Sequence, residues 1–290
     1  MLRADWRLVA GLLGSTLASL VINALMFWTA LAPVRHHSVP RLIGLNAIGG
    51  LLNYAPIRLG LMARILYHLR VDRMRASLVA SWMLVTAGLT VFTIVAMTGA
   101  TLLSGGSVGS FVLTTALILA IGSQVMRLLS VSRVTTPVTS RLDGLGAMLA
   151  SRPATFATMV LRAADIVAFA VRMACAAAIL DLDLSTSDLL LLALSAQLFS
   201  LSPFGRLGFR EAAVSFLAAR LDSGFDSTAV DAVSAQLGLI ESAGEAAIFI
   251  PAGLIAAPWY AAAMRRARGS PPANAPNASP PSPTQSVDAA

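Results

Sequence analysis

The chain has 290 residues, of which 57% are hydrophobic and only 12% are charged, and it carries a formal net charge of +7. Because soluble domains contain about 25% charged residues, this composition predicts an integral membrane domain, which we assign to residues 1–264. The positive charge comes from arginines that mostly flank apolar runs, so no soluble basic domain is left to bind nucleic acid. A single cysteine, Cys175, excludes a disulfide framework.

The first part of the chain contains one long apolar run and one interrupted run. The long run, about Leu8 to Ala32, predicts a first membrane span. The apolar segment from Leu42 to Leu52 is too short to cross, and the residues from Asn53 to Pro56 break it before a second short helix, about Arg58 to Arg70. This pattern predicts a re-entrant hairpin or a broken helix, whose non-helical tip must be covered by protein or must line a wet cavity.

Four more apolar runs are each long enough to cross a bilayer once, since one span needs about 20 residues. They lie at about Ala76–Leu102, Val108–Leu128, Pro153–Leu180 and Ser227–Ala257. Between the last two, a second short apolar segment, Leu189–Phe199, is broken at Ser200–Gly205 and continues as a half-helix over Arg206–Arg220. Residues 265–290 are rich in proline, alanine and serine after their first arginines, which predicts a disordered tail.

The order of span, hairpin and span occurs twice, over about 8–102 and 153–257, which predicts an all-α membrane protein with an inverted repeat, as in transporters. The arginine-rich loop over residues 127–152 and the C-terminus are predicted to be cytoplasmic, and the acidic link from Asp181 to Asp188 is predicted to lie outside. Hairpin one then enters from the cytoplasm and hairpin two from the outside. This topology puts the basic N-terminus outside, which conflicts with the same charge rule.

A related phrase marks the tip of each predicted hairpin. It runs from Asn53 to Gly60 in the first half and from Ser200 to Gly208 in the second, and both copies contain proline and end on arginine, leucine and glycine. Proline breaks a helix and glycine permits close packing, so a structural role is predicted for these positions. They are Asn53, Pro56, Gly60, Pro203, Gly205 and Gly208.

Each copy places an arginine, Arg58 or Arg206, near the N-terminus of a short helix. Free backbone N–H groups and the positive end of the helix dipole favour an anion there, and arginine adds a bidentate donor for phosphate. Two such ends brought together predict a site for an anionic lipid head group. The alternative is that each arginine extends to the membrane interface or caps its own hairpin.

Charged residues also lie within the predicted spans. Arg162 and Asp165 are three residues apart on one helix face, where they can form an ion pair. Glu241 and Glu245 are four residues apart on one face of the last span. The two glutamates either pair with cations across the bundle or serve a head-group path or a proton relay.

The sequence contains no recognisable set of nucleophile, base and acid, no phosphate-binding glycine loop with lysine, and no metal cluster. We therefore predict a protein that is not an enzyme and that needs no cofactor. The adjacent His36 and His37 have no third or fourth ligand nearby in the sequence and are interpreted as interfacial residues.

The hairpin phrases resemble the flippase-like membrane region of lysylphosphatidylglycerol synthases and its stand-alone bacterial relatives. The first motif of that region is matched here by Asn53, Pro56, Arg58, Gly60 and Arg64. The second motif is similar to the run from Pro203 to Glu211. Leu61 stands where that family usually has glutamate, and its soluble aminoacyl-transfer domain has no counterpart, so the resemblance does not imply lipid synthesis.

The repeat and the resemblance together imply a translocase of the bacterial inner membrane that acts on an anionic phospholipid or lipid-linked substrate. The residues expected to bind this substrate are Arg58, Arg64, Arg206, Arg210, Glu211, Glu241 and Glu245. Two alternatives stay open at this point. One is a non-transporting membrane partner of an envelope glycosyltransferase or a similar enzyme, and the other is a small-ion or proton-coupled transporter.

Overall fold

The computed structural model describes residues 5–55, 59–105, 107–132, 142–199 and 227–268, with the side chains of residues 199 and 227–234 excepted. Over these ranges the chain is almost entirely helical and contains no strand, which confirms the all-α class.

Five of the described helices are long and apolar enough to cross a membrane, which supports a multi-pass membrane protein. They are α1 (Trp6–Leu31), α4 (Ala76–Leu103), α5 (Val108–Ser130), α7 (Arg152–Ile179) and α9 (Ser227–Arg268). Four shorter helices lie between them, namely α2 (Val39–Leu52), α3 (Leu59–Arg70), α6 (Leu145–Ala150) and α8 (Thr186–Phe199).

The outer surface of α5 supports a lipid environment. Leu113, Leu117 and Ile121 recur along one face of this helix, and they are 71%, 58% and 55% exposed. A soluble protein rarely exposes a continuous apolar face, whereas the hydrocarbon of a bilayer accommodates it. We therefore describe the five long helices as membrane spans.

The last helix is longer than its sequence predicts. Helix α9 contains Pro251, and it continues past the predicted end of the span at Ala257, through Pro258, to Arg268. Residues 265–268 belong to this helix, and the rest of the predicted tail, residues 269–290, lies outside the described residues. Prolines are tolerated in membrane helices because neighbouring helices and small local adjustments satisfy the freed carbonyl groups.

Helices α2 and α3 form a tightly packed antiparallel hairpin. Near its tip, Gly60 lies so close to Gly49 that a Cβ at residue 60 would overlap the carbonyl oxygen of Gly49. Farther from the tip, Arg64 in α3 donates from Nη2 to Oδ1 of Asn46 in α2 at 2.8 Å. The prediction of two short helices joined by a break is confirmed, although residues 56–58 lie outside the described part of the chain.

Helices α1 and α7 pack against each other in antiparallel orientation. At one end of the contact, the hydroxyl groups of Thr29 and Thr158 lie 3.0 Å apart. At the other end, a Cβ at Gly11 would lie 2.9 Å from Sγ of Cys175. Small residues at such contacts let membrane helices approach closely, which matters because the hydrophobic effect does not drive helices together inside lipid.

The two short helices α2 and α8 have matching surroundings. Each contains 14 residues and follows a membrane span. Helix α2 packs on the preceding span α1 and on α9, whereas α8 packs on its preceding span α7 and on α4. Each short helix therefore packs both on the span that precedes it and on one further span from a distant part of the chain.

Replacing Gly60 by alanine is expected to lower the stability of the purified protein by about 1–3 kcal/mol, because the new methyl group forces α2 and α3 apart. Gly88 in α4 has nothing within 4 Å of the position that its Cβ would occupy, so Gly88→Ala is the matched control. Thermal unfolding in detergent, followed by circular dichroism, compares both variants with the wild type. Equal unfolding midpoints for the two variants would contradict the close packing of the hairpin.

Candidate functional site

A polar cavity of about 180 Å³ lies where α1, α9 and the α2–α3 hairpin meet. Its polar lining consists of one guanidinium group and three amides, and its apolar lining includes Leu61 and Phe249. The polar residues are Asn23, Asn46, Asn53 and Arg64. The cavity thus contains a cation and several groups that both donate and accept hydrogen bonds, inside an otherwise apolar bundle.

Arg64 is held by neutral partners. Its Nη2 donates to Oδ1 of Asn46 at 2.8 Å, and its guanidinium lies 4.0 Å from the centre of the Phe27 ring. No carboxylate oxygen among the described residues lies within ion-pairing distance of Arg64. A guanidinium carries five N–H donors, so most of its donors remain available to a bound anion.

Two predicted hairpin residues lie at the same cavity. Asn53 ends α2, and its Oδ1 is buried without a hydrogen-bond partner among the described residues. A Cβ at Gly60 would lie 2.5 Å from that oxygen, so glycine is what allows α3 to pass so close to Asn53. The structure therefore brings Asn53, Gly60 and Arg64 together at one cavity.

Behind the cavity, Asn23 connects to a buried polar network between α1, α4 and α7. Asp165 accepts a hydrogen bond from Nδ2 of Asn23 at 2.7 Å. Arg162 and Asp165 are 2.8 Å apart, which confirms the predicted ion pair. Arg162 also donates from Nε to Oγ1 of Thr90 at 3.1 Å. Arg162 therefore has a carboxylate partner within the protein, in contrast to Arg64.

Sequence reasoning missed Asn23 and Asn46. Each is an amide side chain inside an apolar helix, and Asn46 is buried, with its Nδ2 donating to the backbone oxygen of Leu20 at 2.8 Å. A single amide in an otherwise apolar helix is the signal that could have identified both residues. Such a group is costly in lipid, so it indicates a hydrogen bond between helices or a binding site.

The two predicted glutamates lie elsewhere, against α7. Nη1 of Arg172 is 3.3 Å from Glu241 and 3.7 Å from Glu245, and all three side chains are almost fully buried. The guanidinium of Arg172 also lies 4.6 Å from the Phe169 ring centre. Neither glutamate lines the cavity at Arg64, so their assignment to substrate binding stays a prediction.

The remaining predicted site residues lie outside the described part of the chain. In the first hairpin these are Pro56 and Arg58. In the second hairpin they are Pro203, Gly205, Arg206, Gly208, Arg210 and Glu211. Their proposed roles are therefore predictions from the sequence alone.

The arginine-rich end of the α2–α3 hairpin contains a second cluster of polar groups. Asp72 lies at its centre, with Oδ2 2.7 Å from Nδ1 of His68 and 3.6 Å from Nδ1 of His37, and with Oδ1 3.2 Å from Nη1 of Arg41. Burial lowers the pKa of His37 below the ordinary value of an imidazole, against the opposing effect of the Asp72 carboxylate. Burial raises the pKa of Asp72, but the hydrogen bond to His68 and the nearby cations outweigh it, so the net pKa lies below its ordinary value.

Beside this cluster, a pocket of about 280 Å³ opens between α3 and α9. Four arginines and two aromatic side chains form much of its lining. They are Arg41, Arg70, Arg73, Arg266, Tyr67 and Trp259. Such a surface attracts anionic head groups at a membrane interface.

The largest of these pockets, about 350 Å³, lies between α4, α5, α7 and α8. Its lining includes Phe111, Val167 and Leu190, together with a few hydroxyl groups, and none of the described residues that line it is charged. An acyl chain fits such a surface, but its lining provides no specific chemistry, so we do not assign the functional site to it.

Comparisons of the chain with protein-family models, with curated proteins and with solved structures found no match. The resemblance to the membrane region of lysylphosphatidylglycerol synthases therefore rests on the motif residues alone.

Replacing Arg172 by alanine is expected to destabilise the protein by about 3–5 kcal/mol, because it removes a cation that faces two buried carboxylates. Arg75→Ala is the matched control, since Arg75 is 83% exposed and its contact with Asp143 spans 3.5 Å at the surface. The thermal unfolding midpoints of both variants are measured at neutral pH in the same detergent and compared with that of the wild type. If the two variants unfold at the same temperature, Arg172 does not hold the glutamates as described.

Proposed function

We propose that this chain is a bacterial inner-membrane translocase, not an enzyme, that binds the anionic head group of a phospholipid or lipid-linked substrate at Arg64. One observation carries this proposal. Arg64 is a guanidinium in a polar cavity that has no carboxylate partner among the described residues. The amides of Asn23, Asn46 and Asn53 surround the same space.

The free-energy cost of burying the charged side chain of Arg64 supports a role in binding. A charged side chain at the centre of a membrane helix costs about 2.5–3.5 kcal/mol on insertion scales, so it is kept where it has a partner or a function. Asn46 and Phe27 offset only part of this cost, because neither carries a negative charge. A phosphate oxygen would accept from the remaining N–H donors of Arg64 and supply the negatively charged acceptor that the described residues do not provide.

The size of the cavity favours a head group over a whole lipid. Its volume of about 180 Å³ is more than ten times the roughly 10–15 Å³ of such cavity volume that one water molecule needs, so it can hold a phosphate group. It is too small for acyl chains, which would remain in the surrounding hydrocarbon. This division between a polar site and lipid-exposed chains is what a head-group translocase requires.

The arrangement of the helices supports an inverted repeat with re-entrant hairpins as part of this proposal. The short helices α2 and α8 have equal lengths and equivalent neighbours, and α1 and α7 cross in antiparallel orientation. Two units related in this way place their hairpins on opposite sides of the membrane, with the substrate site between them. The arginines near both ends of the α2–α3 hairpin and at the end of α9 favour a cytoplasmic C-terminus.

A second candidate, a small-ion or proton-coupled transporter, is favoured by the contacts of Arg172. Two carboxylates, Glu241 and Glu245, face one guanidinium in the interior of the bundle. Intramembrane carboxylates of this kind occur in proton relays. Proton uptake that disappears in Glu241→Gln but persists in Arg64→Gln would favour this candidate over the lipid translocase.

Lipid movement in proteoliposomes tests the proposal. Arg64→Gln is expected to slow the transfer of a fluorescent anionic phospholipid between leaflets by about tenfold or more, since each hydrogen bond to a charged group contributes about 1.5–3 kcal/mol. Arg64→Lys should retain part of the rate, because lysine keeps the charge but loses the bidentate geometry. Arg75→Gln, at the exposed surface, is the control and should transfer lipid at the wild-type rate.

Two results would contradict the assignment. Wild-type transfer by Arg64→Gln, in protein that elutes as a single species from gel filtration, would show that the cavity at Arg64 is not the head-group site. Equal rates for anionic and zwitterionic lipids in the wild type would show that the site does not select a negative charge.

A further inference from the structure

A buried group of two histidines and one aspartate lies at the base of the α2–α3 hairpin, apart from the cavity at Arg64. His37 precedes α2, His68 lies in the last turn of α3, and Asp72 follows α3. We propose that His37, His68 and Asp72 bind one first-row divalent transition-metal ion, with Zn²⁺ as the best fit, through the two Nδ1 atoms and Oδ2 of Asp72.

The distances suit a metal ion with three protein ligands. Each residue offers one ligand atom, and these atoms all lie within 4.8 Å of one another. Oδ2 of Asp72 lies 3.6 Å from Nδ1 of His37 and 2.7 Å from Nδ1 of His68. Metal–ligand bonds of about 2.0–2.2 Å in tetrahedral geometry separate the ligand atoms by roughly 3.3–3.6 Å. A bound ion would therefore open the contact between His68 and Asp72 by less than about 1 Å, and it would bring the ligand nitrogens of the two histidines, now within 4.8 Å of each other, to the same spacing.

Hydrogen bonds within the described part of the protein do not satisfy all the ring nitrogens of His37 and His68. The side chains of His37 and His68 are 3% and 0% exposed, yet Nε2 of each is buried without a hydrogen-bond partner in the described part of the chain. At the other ring nitrogen, Nδ1 of His68 has Asp72 as its partner, whereas Nδ1 of His37 lies 3.6 Å from Asp72, beyond hydrogen-bond distance. A metal ion between the three side chains would bond to Nδ1 of His37 and would leave both Nε2 atoms as they are.

The surroundings of Asp72 are those of a ligating carboxylate. Oδ1 is held by Arg41 at 3.2 Å, which leaves Oδ2 directed at the two imidazoles. The second oxygen of a metal-bound carboxylate is commonly hydrogen-bonded in this manner. The positive charge of Arg41 opposes a cation, but its side chain is 45% exposed, so solvent screens much of this repulsion.

The ligand set selects the class of metal. Imidazole nitrogen suits zinc, cobalt and nickel, whereas magnesium and calcium require oxygen ligands. Three protein ligands leave a fourth position for water, as in other open zinc sites. Because His37 lies before α2 and the other two ligands lie at the end of α3, the ion would join both ends of the hairpin and hold them together.

Metal binding to the full-length protein tests this proposal. The chain is purified through a histidine-free affinity tag, stripped with a chelator and dialysed against Zn²⁺, and metal per chain is measured by mass spectrometry. We expect one zinc per chain in the wild type, and zinc binding at least about tenfold weaker in His37→Gln, His68→Gln and Asp72→Asn. His36→Gln is the matched control, since His36 is the exposed neighbour of His37 and should bind zinc like the wild type.

Two measurements on the wild type keep the test independent of how well the variants fold. Co²⁺ should give the absorption bands of a nitrogen- and oxygen-ligated tetrahedral ion, and Zn²⁺ but not Mg²⁺ should raise the thermal unfolding midpoint. The proposal is overturned if the wild type retains no zinc after dialysis. It is equally overturned if His37→Gln and His68→Gln retain zinc as the wild type does, and in either case the lipid-transfer assay decides the function of the Arg64 cavity separately.

Discussion

Every buried polar group in this helical bundle must find its partner within the protein or in a bound ligand, because the hydrocarbon of a bilayer provides no hydrogen bonds. Most described groups satisfy this constraint locally. The threonines of α4 donate back to their own helix, as Thr90 does to the carbonyl of Thr86 at 2.8 Å. Across helices, Asp165 pairs with Arg162 at 2.8 Å, and Arg172 faces two glutamates. Arg64 is the exception among these charges, since its partners are an amide and an aromatic ring.

Glycine packing in the first hairpin places the guanidinium of Arg64 at the polar cavity. Gly49 and Gly60 let α2 and α3 approach so closely that Arg64 reaches across to Asn46 and faces the cavity. A larger residue at Gly60 would also collide with Asn53, whose amide lines the same space. The backbone geometry of the hairpin and the chemistry of the cavity therefore depend on the same few residues. This dependence links the close packing at Gly60 to the position of Arg64 at the cavity.

Apolar run length was enough to predict the five spans and the two helices of the first hairpin, because helix length and hydrocarbon thickness are directly linked. The spacing of three residues was enough to predict the ion pair between Arg162 and Asp165, since both residues lie on one face of one helix. Contacts between distant segments were not predictable in the same way. Asn23 and Asp165 are 142 positions apart, and their contact depends on how α1 and α7 are rotated about their axes. The approach of His37 to His68 and Asp72 likewise depends on how the α2–α3 hairpin closes, so the sequence around His37 gave no sign of its two distant neighbours.

The presence of a phosphate group beside Arg64 is the most direct test of the account. The full-length protein can be reconstituted in nanodiscs that contain an anionic phospholipid, and its structure determined by cryo-electron microscopy. The account predicts phosphate density within about 3 Å of the Arg64 guanidinium, in the space bordered by Asn23, Asn46 and Asn53. A cavity that holds only water, or that is filled by a carboxylate of the protein itself, would contradict it.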